Sequence, residues 1–531
     1  MWKLIFSILI LNSSANAANI LAIFPVPSLP HQKIFRALTE ALEDRGHHLT
    51  IISTDPQLSR GHANTIEIDL KFSYVLLQKA LFSMSFKETK NELDALAIWF
   101  DYELEILEKQ FESEDVQYLL RNKDEKFDLV IVEAVGHTPW HALAEYFNAR
   151  LIGITANEAN LEFHDIIGNS ANPIRDPDIL LPQSDEMTFQ ERYKAWWFHI
   201  IYNFYYKNKF HAKFDALIQK FLPNVKSNSQ QLKEALDLLL INTHPAMLYS
   251  RPMVPTSIQL GFLHVKPPKE IENEALKKFL DESEKSVIYM SFGTSVNSTS
   301  LQEPFIEMFQ NVFKALPFNV IWKWEAEEMK NKPENVFITQ WTPQADLLAH
   351  PKIKLFITHG GQLSIEEAID RAVPMIVIPF FNDQFTNSMK VQQLSIGLAA
   401  DLQSLNEKFL RQLIDEVIYG SQYKENILKL QKFIHDSPMR PVDKAVWWIE
   451  YVLRHNGTSH LKYSGKDVPF YQKYMLDFAA IAIVVLHIFV GIFKTLLAIV
   501  FIKCKDYVKM RIAKKNQNPI ARKIKNKKKK E

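Results

Sequence analysis

The sequence predicts an α/β protein with two domains, each built on a parallel β-sheet covered by helices on both faces. Short apolar runs of strand length alternate with longer amphipathic stretches, as in parallel sheets with helical crossovers. This pattern occurs in two blocks, and a proline-rich segment separates them. The chain has 531 residues, too many for one ordinary core, which suits two domains of roughly 200 residues with appendages.

The first block opens with a β-α-β unit. Asn19–Phe24 reads as a buried strand, and Gln32–Arg45 reads as a helix whose apolar residues recur every three or four positions. Gly46 is placed to end this helix, and His48–Ile52 is the next strand. Further apolar runs of strand length follow at Phe127–Val132, Leu151–Ile154 and Asp237–Ile241.

An aromatic, amphipathic segment lies within this block, from about Thr188 to Phe221. Its aromatic residues include Trp196, Trp197, Phe198, Tyr202, Phe204, Tyr205 and Tyr206. One interpretation places them in a helical core. The other makes them a wall of an apolar ligand pocket or a surface that leans on a membrane.

The second block begins with the strand Ser286–Ser291. The prolines ahead of it, typical of a domain linker, are Pro252, Pro255, Pro267 and Pro268. Further strands are predicted at Val320–Lys323, Val336–Ile338, Lys354–Thr358 and Met375–Ile378. Two such domains place a ligand in the cleft between them, beside the carboxyl ends of the strands.

The N-terminus predicts a secretory signal peptide over residues 1–17. The apolar run Leu4–Leu11 follows Lys3 and precedes the small-residue cleavage site Ala15-Asn16-Ala17. The alternative is a buried first strand or short helix. Cys504 is the only cysteine, so no intrachain disulfide can form.

A transmembrane helix is predicted near the other end, at Phe478–Ile502. Its 25 residues contain two ionisable side chains, His487 and Lys494. At about 1.5 Å per residue, this length spans the roughly 30 Å hydrocarbon core of a bilayer with some tilt. A juxtamembrane linker, residues 461–477, precedes the span.

The tail, residues 503–531, is strongly basic. It contains 13 Lys or Arg and two acidic residues, although the whole chain has a net charge of only +1. Basic residues mark the cytoplasmic side of a span, so we expect a single-pass type I protein with a lumenal body and a cytosolic tail. The body is then acidic, which argues against a nucleic-acid partner.

Two sequence signals suggest an endoplasmic reticulum location. Lys528 and Lys529 are the fourth and third residues from the end, as in dilysine retrieval signals. A basic segment that binds anionic lipid is the alternative. Asn297 and Asn456 begin N-glycosylation sequons, which is consistent with a lumenal body.

The strongest functional signal lies between Trp341 and Gln384, a stretch of 44 residues. Here a predicted strand runs into His359-Gly360-Gly361 and then into a helix. Glycines let backbone N–H groups approach a ligand, and a helix N-terminus adds unpaired N–H groups and a positive dipole end. This combination suits a diphosphate.

Side chains near this loop add further ligand groups. His359 and Ser364 can donate to a diphosphate, and Asp383 and Gln384 can bind sugar hydroxyls. Trp341 offers a flat face for a nucleobase.

Each of these residues also has a structural alternative. Ser364 and Glu367 have the spacing of a capping box, Asp383 could cap a helix, and Trp341 could be a core residue.

This stretch resembles the donor-binding signature of the UDP-glycosyltransferase family, which includes animal UDP-glucuronosyltransferases and insect UDP-glucosyltransferases. The resemblance covers nearly the whole chain and is greatest to the insect members. It includes Pro30-His31, Arg45-Gly46-His47, Tyr249–Pro252, Ser291–Thr294 and the anchor with its basic tail. It implies the GT-B fold, two facing Rossmann-like domains, with an acceptor domain over residues 18–250 and a UDP-sugar domain over residues 251–460.

The resemblance also implies roles for the donor-site residues. Trp341 is expected to stack on uracil with Gln344 near it, and Glu367 to take the ribose hydroxyls. Asp383 and Gln384 are expected to hold the transferred sugar. The expected diphosphate contacts are Ser291, His359, Gly361 and Ser364.

His31 is the candidate general base. It follows the first strand at the start of a helix, where the helix dipole disfavours an imidazolium and leaves a neutral ring able to accept a proton. A surface histidine is the alternative. In the family that the chain resembles, this position deprotonates the acceptor hydroxyl, whose oxygen attacks the anomeric carbon as UDP leaves.

Glu133 is the candidate partner of this base. Many family members have an Asp after a Phe-Asp-hydrophobic run, and Phe127–Glu133 is the matching stretch, with a side chain one methylene longer. A carboxylate beside His31 would orient the ring and stabilise the imidazolium as it forms.

These implications predict an enzyme that transfers a hexosyl group from a UDP-sugar to a hydroxyl of a small lipophilic acceptor, with inversion. UDP-glucose is the favoured co-substrate and UDP-glucuronic acid the second. No bound cofactor or metal is expected, and a homo-oligomer is left open. The alternative is a catalytically silent carrier of lipophilic ligands, against which the retention of His31 and a carboxylate at position 133 argues.

Overall fold

Two parallel β-sheets form the framework of the residues that precede Ser464. The computed structural model describes residues 17–58, 64–85, 92–169, 172–179, 181, 183, 186–203, 207–248, 250–294, 296–381 and 383–517. Within them the chain forms two units, of which the first ends at Tyr463 and the second begins at Ser464. Both sheets belong to the first unit.

The first sheet has seven strands within the described residues, in the order β3-β2-β1-β4-β5-β6-β7, and its paired strands run parallel. Its strands are β1 (Asn19–Phe24), β2 (His48–Ser53), β3 (Thr65–Asp69), β4 (Leu129–Glu133), β5 (Arg150–Thr155), β6 (Leu238–Ile241) and β7 (Ser257–Gln259). The central strands are almost continuously apolar because helices cover both faces.

The second sheet has six parallel strands in the described part of the chain, in the order β10-β9-β8-β11-β12-β13. Its strands are β8 (Val287–Ser291), β9 (Asn319–Lys323), β10 (Val336–Thr339), β11 (Ile353–Thr358), β12 (Met375–Val377) and β13 (Gly397–Ala399). Separate buried clusters lie on its two faces.

Helices connect the strands of both sheets. The described helices of this unit are Leu29–Asp44, Ser73–Ser85, Glu92–Glu112, Glu114–Arg121, Ala142–Tyr146, Leu161–Ile167, Phe189–Ile201, Lys207–Phe221, Ser229–Glu234, Glu274–Glu282, Glu303–Lys314, Gln344–Leu348, Gln362–Asp370, Asp383–Gln393, Glu407–Tyr419, Ser421–His435 and Pro441–His455. The first begins three residues before the predicted Gln32, because Pro30 suits the first helical turn.

The strand order reverses once in each sheet. In the first sheet the reversal lies between β1 and β4, and in the second it lies between β8 and β11. Loops that leave the carboxyl ends of such strands diverge and open a crevice, which is where ligands bind in open α/β sheets. His31 follows β1, and Glu133 ends β4. Ser291 and Thr358 end β8 and β11 in register with each other.

Two segments that follow the predicted domain boundary at residue 250 belong to the first sheet or to the core around it. Strand β7 pairs with β6 in the first sheet. The helix Pro441–His455 packs against the helix Leu29–Asp44 and strand β5, with Ile449 and Val452 fully buried. The last helix of the body is therefore part of the core around the first sheet, and the predicted domain boundaries remain predictions.

The aromatic segment forms the helices Phe189–Ile201 and Lys207–Phe221, and residues 204–206 lie outside the described residues. Phe198 is buried, so the core interpretation is right for this residue. It is wrong for Trp196 and Trp197, which are 43% and 41% exposed.

The second unit contains the predicted span. The helix Leu476–Gln517 includes residues 478–502 and continues into the basic segment. Among the described residues it is the helix that is long and apolar enough to cross a membrane, by length and composition. Residues 1–16 of the predicted signal peptide and the dilysine pair lie outside the described residues.

The buried position of Ile449 predicts a large stability effect. Ile449→Ala removes buried methyl groups and leaves a cavity under the helix Leu29–Asp44, so we expect the free energy of unfolding of the full chain to fall by about 2–5 kcal/mol. Denaturant unfolding in detergent measures this. The control is His455→Ala on the exposed end of the same helix, expected within about 0.5 kcal/mol of wild type. Equal stability of the Ile449→Ala variant and the wild type would contradict the packing.

Candidate active site

A cleft of about 350 Å³ lies between the loops at the carboxyl ends of the two sheets. The first domain contributes the start of the helix Leu29–Asp44 and the residues after β5. The second contributes the ends of β8 and β9, the loop after β11 and the starts of three helices, Gln344–Leu348, Gln362–Asp370 and Asp383–Gln393. All the sequence-predicted site residues except Glu133 line this cleft, and Glu133 lies directly behind His31.

His31 and Glu133 form a close pair. His31 Nδ1 is 2.6 Å from Glu133 Oε1, and the carboxylate is completely buried while the imidazole is partly exposed to the cleft. A buried carboxylate accepts the Nδ1–H, so Nε2 is left as the proton acceptor. Glu133, although one methylene longer than the Asp of many family members, therefore still contacts His31 directly.

The loop that carries His31 is held by its neighbour. Gln32 Nε2 donates to the carbonyls of Phe24 and Val26, each at 3.0 Å, and Gln32 Oε1 accepts from Ser53 Oγ. These bonds fasten the turn between β1 and the helix to the end of β2. The imidazole therefore enters the cleft from a well-supported first helical turn.

A second buried pair, Glu103 and His137, lies behind this dyad. His137 Nδ1 is 3.2 Å from Glu103 Oε1. Burial raises the pKa of Glu103 to about 8 and lowers the pKa of His137 to about 3. Both groups are then neutral near pH 7, so neither adds a net charge beside the pair of His31 and Glu133. The sequence carries no signal that singles out this pair, because Glu103 is one of many acidic residues on the helix Glu92–Glu112.

The expected diphosphate site is built around His359. This side chain is buried, and burial together with the charge of Lys323 lowers its pKa to about 4, so the ring is neutral near pH 7. A Cβ on Gly293 or on Gly361 would lie 2.6 Å from the ring. Glycine is therefore needed on both sides of this histidine, and the bare backbone leaves room for a ligand.

Gly361 is the N-cap of the helix Gln362–Asp370, whose first three residues line the cleft. The capping-box interpretation of Ser364 and Glu367 is therefore wrong, because both residues lie inside the helix. Ser364 Oγ instead accepts a hydrogen bond of 3.0 Å from Gln344 Nε2. Oriented helix N–H groups beside a neutral histidine form a suitable anion site.

Gln344 is hydrogen-bonded to three other cleft residues, Ser364, Glu367 and Tyr289. Its Nε2 donates to Glu367 Oε2 at 2.7 Å as well as to Ser364, and its Oε1 accepts from Tyr289 OH at 3.2 Å. Tyr289 is also bonded to Thr342. The network holds Glu367 at the cleft wall.

Trp341 is 52% exposed, so the core alternative for this residue is wrong. The ammonium of Lys33 lies 5.1 Å from the centre of its ring, across the cleft. An exposed indole at a cleft wall can stack on a planar base. Lys33 was missed by the sequence analysis, since a lone lysine two residues after His31 carries no signal.

Asp383 and Gln384 begin the helix Asp383–Gln393. Asp383 Oδ2 accepts from Asn387 Nδ2, and burial raises the pKa of Asp383. Gln384 Oε1 accepts from the backbone N–H groups of Phe380 and Phe381, so its amide NH₂ is the group available for a ligand.

Lys323 is a further cleft residue that the sequence analysis did not single out. It ends β9 and lines the cleft near His359, with its ammonium 2.7 Å from Glu325 Oε1. Its position at the carboxyl end of a parallel strand was a usable signal. Among the described residues, no group of three or more His, Cys, Asp or Glu side chains is arranged to hold a metal ion.

Curated relatives match this chain over most of its length. It is 33% identical to the UDP-glycosyltransferase UGT4 of Dactylopius coccus, covering 89% of this chain and 92% of the relative. It is 30% identical to the ecdysteroid UDP-glucosyltransferase of Spodoptera littoralis nuclear polyhedrosis virus, covering 93% and 98%.

Solved structures confirm the predicted GT-B fold. The chain is similar to a UDP-glucose:anthocyanidin 3-O-glucosyltransferase in complex with UDP, with a TM-score of 0.54, 16% identity and coverage of 82% of this chain and 99% of that one. The family model described as "UDP-glucoronosyl and UDP-glucosyl transferase" matches residues 23–511. The chain therefore belongs to the UDP-glycosyltransferase family, and it is a glycosyltransferase that takes its sugar from a UDP-sugar donor.

Proposed function

We propose that this enzyme transfers glucose from UDP-glucose to a hydroxyl of a small lipophilic acceptor, with inversion and with His31 as the general base. The observation that carries the proposal is the 2.6 Å contact between His31 Nδ1 and the buried carboxylate of Glu133. It leaves Nε2 free to take the acceptor proton while the acceptor oxygen forms a bond to the anomeric carbon. The bond from that carbon to the β-phosphate oxygen breaks, and UDP leaves.

Glu133 stabilises the imidazolium as it forms, and the buried pair Glu103 and His137 adds no net charge near pH 7. Facing His31, the second domain offers the helix N-terminus at Gly361 and the N–H of neutral His359 to the departing diphosphate. Such preorganised donors stabilise charge that develops on the leaving group. In this arrangement Trp341 stacks on uracil, Gln344 and Glu367 hold the nucleoside, and Ser291 and Ser364 assist at the phosphates.

Residues at two other parts of the cleft support the choice of sugar and acceptor. Asp383 and the free amide of Gln384 suit sugar hydroxyls. Two relatives, at 32% and 30% identity, are named as glucosyltransferases, which favours glucose over glucuronic acid. Apolar lining near His31, from Leu29, Pro30 and Phe381, suits a lipophilic acceptor such as a phenol or a steroid alcohol.

We further propose that the body is lumenal in the endoplasmic reticulum and that residues 503–531 are cytosolic. The signal-peptide pattern, the apolar helix Leu476–Gln517 and the basic tail support this orientation. UDP-sugar must then be imported to reach the cleft.

Activity should depend on His31. Microsomes with the full chain, assayed with several UDP-sugars against phenols and ecdysteroids, should form glucosides from UDP-glucose. His31→Ala should lower kcat by about 10²–10⁴-fold, the usual contribution of a positioned base, while UDP affinity stays within about twofold. An unchanged kcat would make the base assignment wrong, and acceptor binding without turnover by wild type would favour the carrier alternative.

Glu133→Gln tests the partner of the base. It keeps the size of the side chain and removes its charge, so we expect kcat to fall by at least about tenfold with an unchanged melting temperature. The comparison variant is Asp128→Asn at the other acidic position of the same stretch, where Asp128 Oδ2 accepts from the Asn19 N–H. If only Asp128→Asn slowed the reaction, Glu133 would not be the partner.

Trp341→Ala should weaken UDP binding. Stacking of a base on an aromatic side chain is worth about 1–3 kcal/mol in other nucleotide sites, which corresponds to about 5–150-fold in affinity. Titration calorimetry with UDP measures it. The control, Trp447→Ala, removes a similarly exposed indole on the helix Pro441–His455 and should leave affinity unchanged. Equal affinities for all three proteins would remove Trp341 from the uracil site.

The orientation can be tested in sealed microsomes. Protease should remove an epitope placed after Glu531 and spare one placed near Asn19, and detergent should expose both. Glycosidase should lower the mass if Asn297 or Asn456 is modified. Protection of the C-terminal epitope before detergent would reverse the proposed orientation.

A further inference from the structure

His264 lies on the segment that joins the two sheets, between β7 and the helix Glu274–Glu282. The chain bends sharply just before it, because Gly261 and Phe262 have φ angles of 64° and 51°. A Cβ on Gly261 would lie 2.7 Å from the backbone nitrogen of His244, so only glycine fits the bend. The bend brings His264 against the helix Gln362–Asp370 of the second domain.

There the imidazole lies between two carboxylates. His264 Nδ1 is 3.5 Å from Glu366 Oε2, and Nε2 is 3.5 Å from Glu367 Oε1. All three side chains are at least nine-tenths buried. Both separations are at the limit of a hydrogen bond, and among the described residues neither ring nitrogen has a fully formed hydrogen bond.

The two carboxylates differ in what else they contact. Glu366 is completely buried, and it accepts from the Phe262 N–H at 3.2 Å and from Gln362 Nε2 at 2.9 Å. Glu366 is therefore held both by the segment that joins the two sheets, through Phe262, and by its own helix, through Gln362. Glu367 lines the cleft, and its other oxygen accepts from Gln344. The His264 ring therefore lies between Glu366, whose position is fixed by other hydrogen bonds, and Glu367, which faces the cleft.

The charges around His264 favour its protonated form. Burial lowers the pKa of His264, but the nearby Glu367 carboxylate and the negative charge of Glu366 outweigh burial and raise this pKa. The positive charge of Lys33 opposes the rise. Burial raises the pKa of Glu366 to about 7. Although burial opposes it, contact with His264 holds the pKa of Glu367 below its usual value. An imidazolium can donate to both carboxylates, whereas a neutral ring can donate to only one.

We propose that His264 is a positioning residue for the donor, which holds the Glu367 carboxylate in place to accept the ribose hydroxyls of UDP. The inference rests on the ribose role of Glu367 in the proposed function. It assigns a role in the nucleotide site to His264, a residue of the segment that joins the two sheets and belongs to neither of them.

The test compares UDP with 2′,3′-dideoxy-UDP, which lacks the two ribose hydroxyls. Calorimetry on the full chain should show that His264→Gln binds UDP about tenfold more weakly, as expected when a hydrogen bond to a charged group is lost. Binding of the dideoxy analogue should stay within about twofold. His244→Gln is the matched control, because the His244 ring packs 6.2 Å from the Phe262 ring against the same bend, whereas the ion pairs with Glu366 and Glu367 in the described residues are made by His264, and it should change neither affinity.

A pH series on the wild-type protein provides a second measurement that needs no variant. The preference for UDP over the analogue should be greatest at about pH 6, below the raised pKa of His264 and above the lowered pKa of Glu367, where an imidazolium faces an ionised carboxylate. It should fall as pH rises through the raised pKa of His264, above the ordinary value of 6.5. A preference that is constant from about pH 6 to 9 would overturn the proposal, as would equal weakening of both ligands in His264→Gln.

Glu367→Ala separates this inference from the proposed function. If Glu367→Ala abolishes the preference for UDP while His264→Gln retains it, only the positioning role of His264 is wrong. If Glu367→Ala keeps the full preference, the ribose assignment itself is wrong and the positioning role falls with it.

Discussion

A completely buried carboxylate, Glu133, sets the main constraint on the first half of the cleft. An ionised carboxylate without a partner in such a place costs several kcal/mol, and the structure supplies the imidazole of His31 at 2.6 Å. The contact is made possible by the strand order, since β1 and β4 are neighbours at the point where the order reverses. Burial leaves Glu103 and His137 neutral near pH 7, and Gln32 fastens the loop in front.

Strongly apolar segments and the loops that follow them could be predicted from the sequence. The limits of β1 agree with the predicted strand, and residues predicted from the loops after β1, β8 and β11 meet in one cleft. Elements with weak patterns were missed, among them the half-exposed edge strand β3 and the three-residue strands β7 and β13. Ser364 was open to misinterpretation because its spacing from Glu367 matches a cap, whereas Gly361 begins the helix.

The remaining site residues depend on tertiary contacts that carry no local signal. Lys33 reaches Trp341 across the cleft, and Gln362 donates to the carbonyl of Asn242 at the end of the first sheet. His264 comes from the segment between the sheets. The donor site is therefore not a property of the second domain alone. Its geometry includes groups whose positions are set by how the first domain and the joining segment pack.

The helix Pro441–His455 gives the body an unusual dependence on synthesis order. It covers the helix that carries His31, yet it is the last described α-helix of the unit that ends at Tyr463 and is made shortly before the apolar helix Leu476–Gln517. The strands of the first sheet can pair early during synthesis. The helix Pro441–His455, which covers part of the core around this sheet, joins only when nearly all residues before Ser464 have been made. Contacts of such long sequence separation form late and slowly. During synthesis the nascent first domain exposes the apolar face of the helix Leu29–Asp44, and this is a natural binding site for lumenal chaperones if the body enters the lumen as proposed.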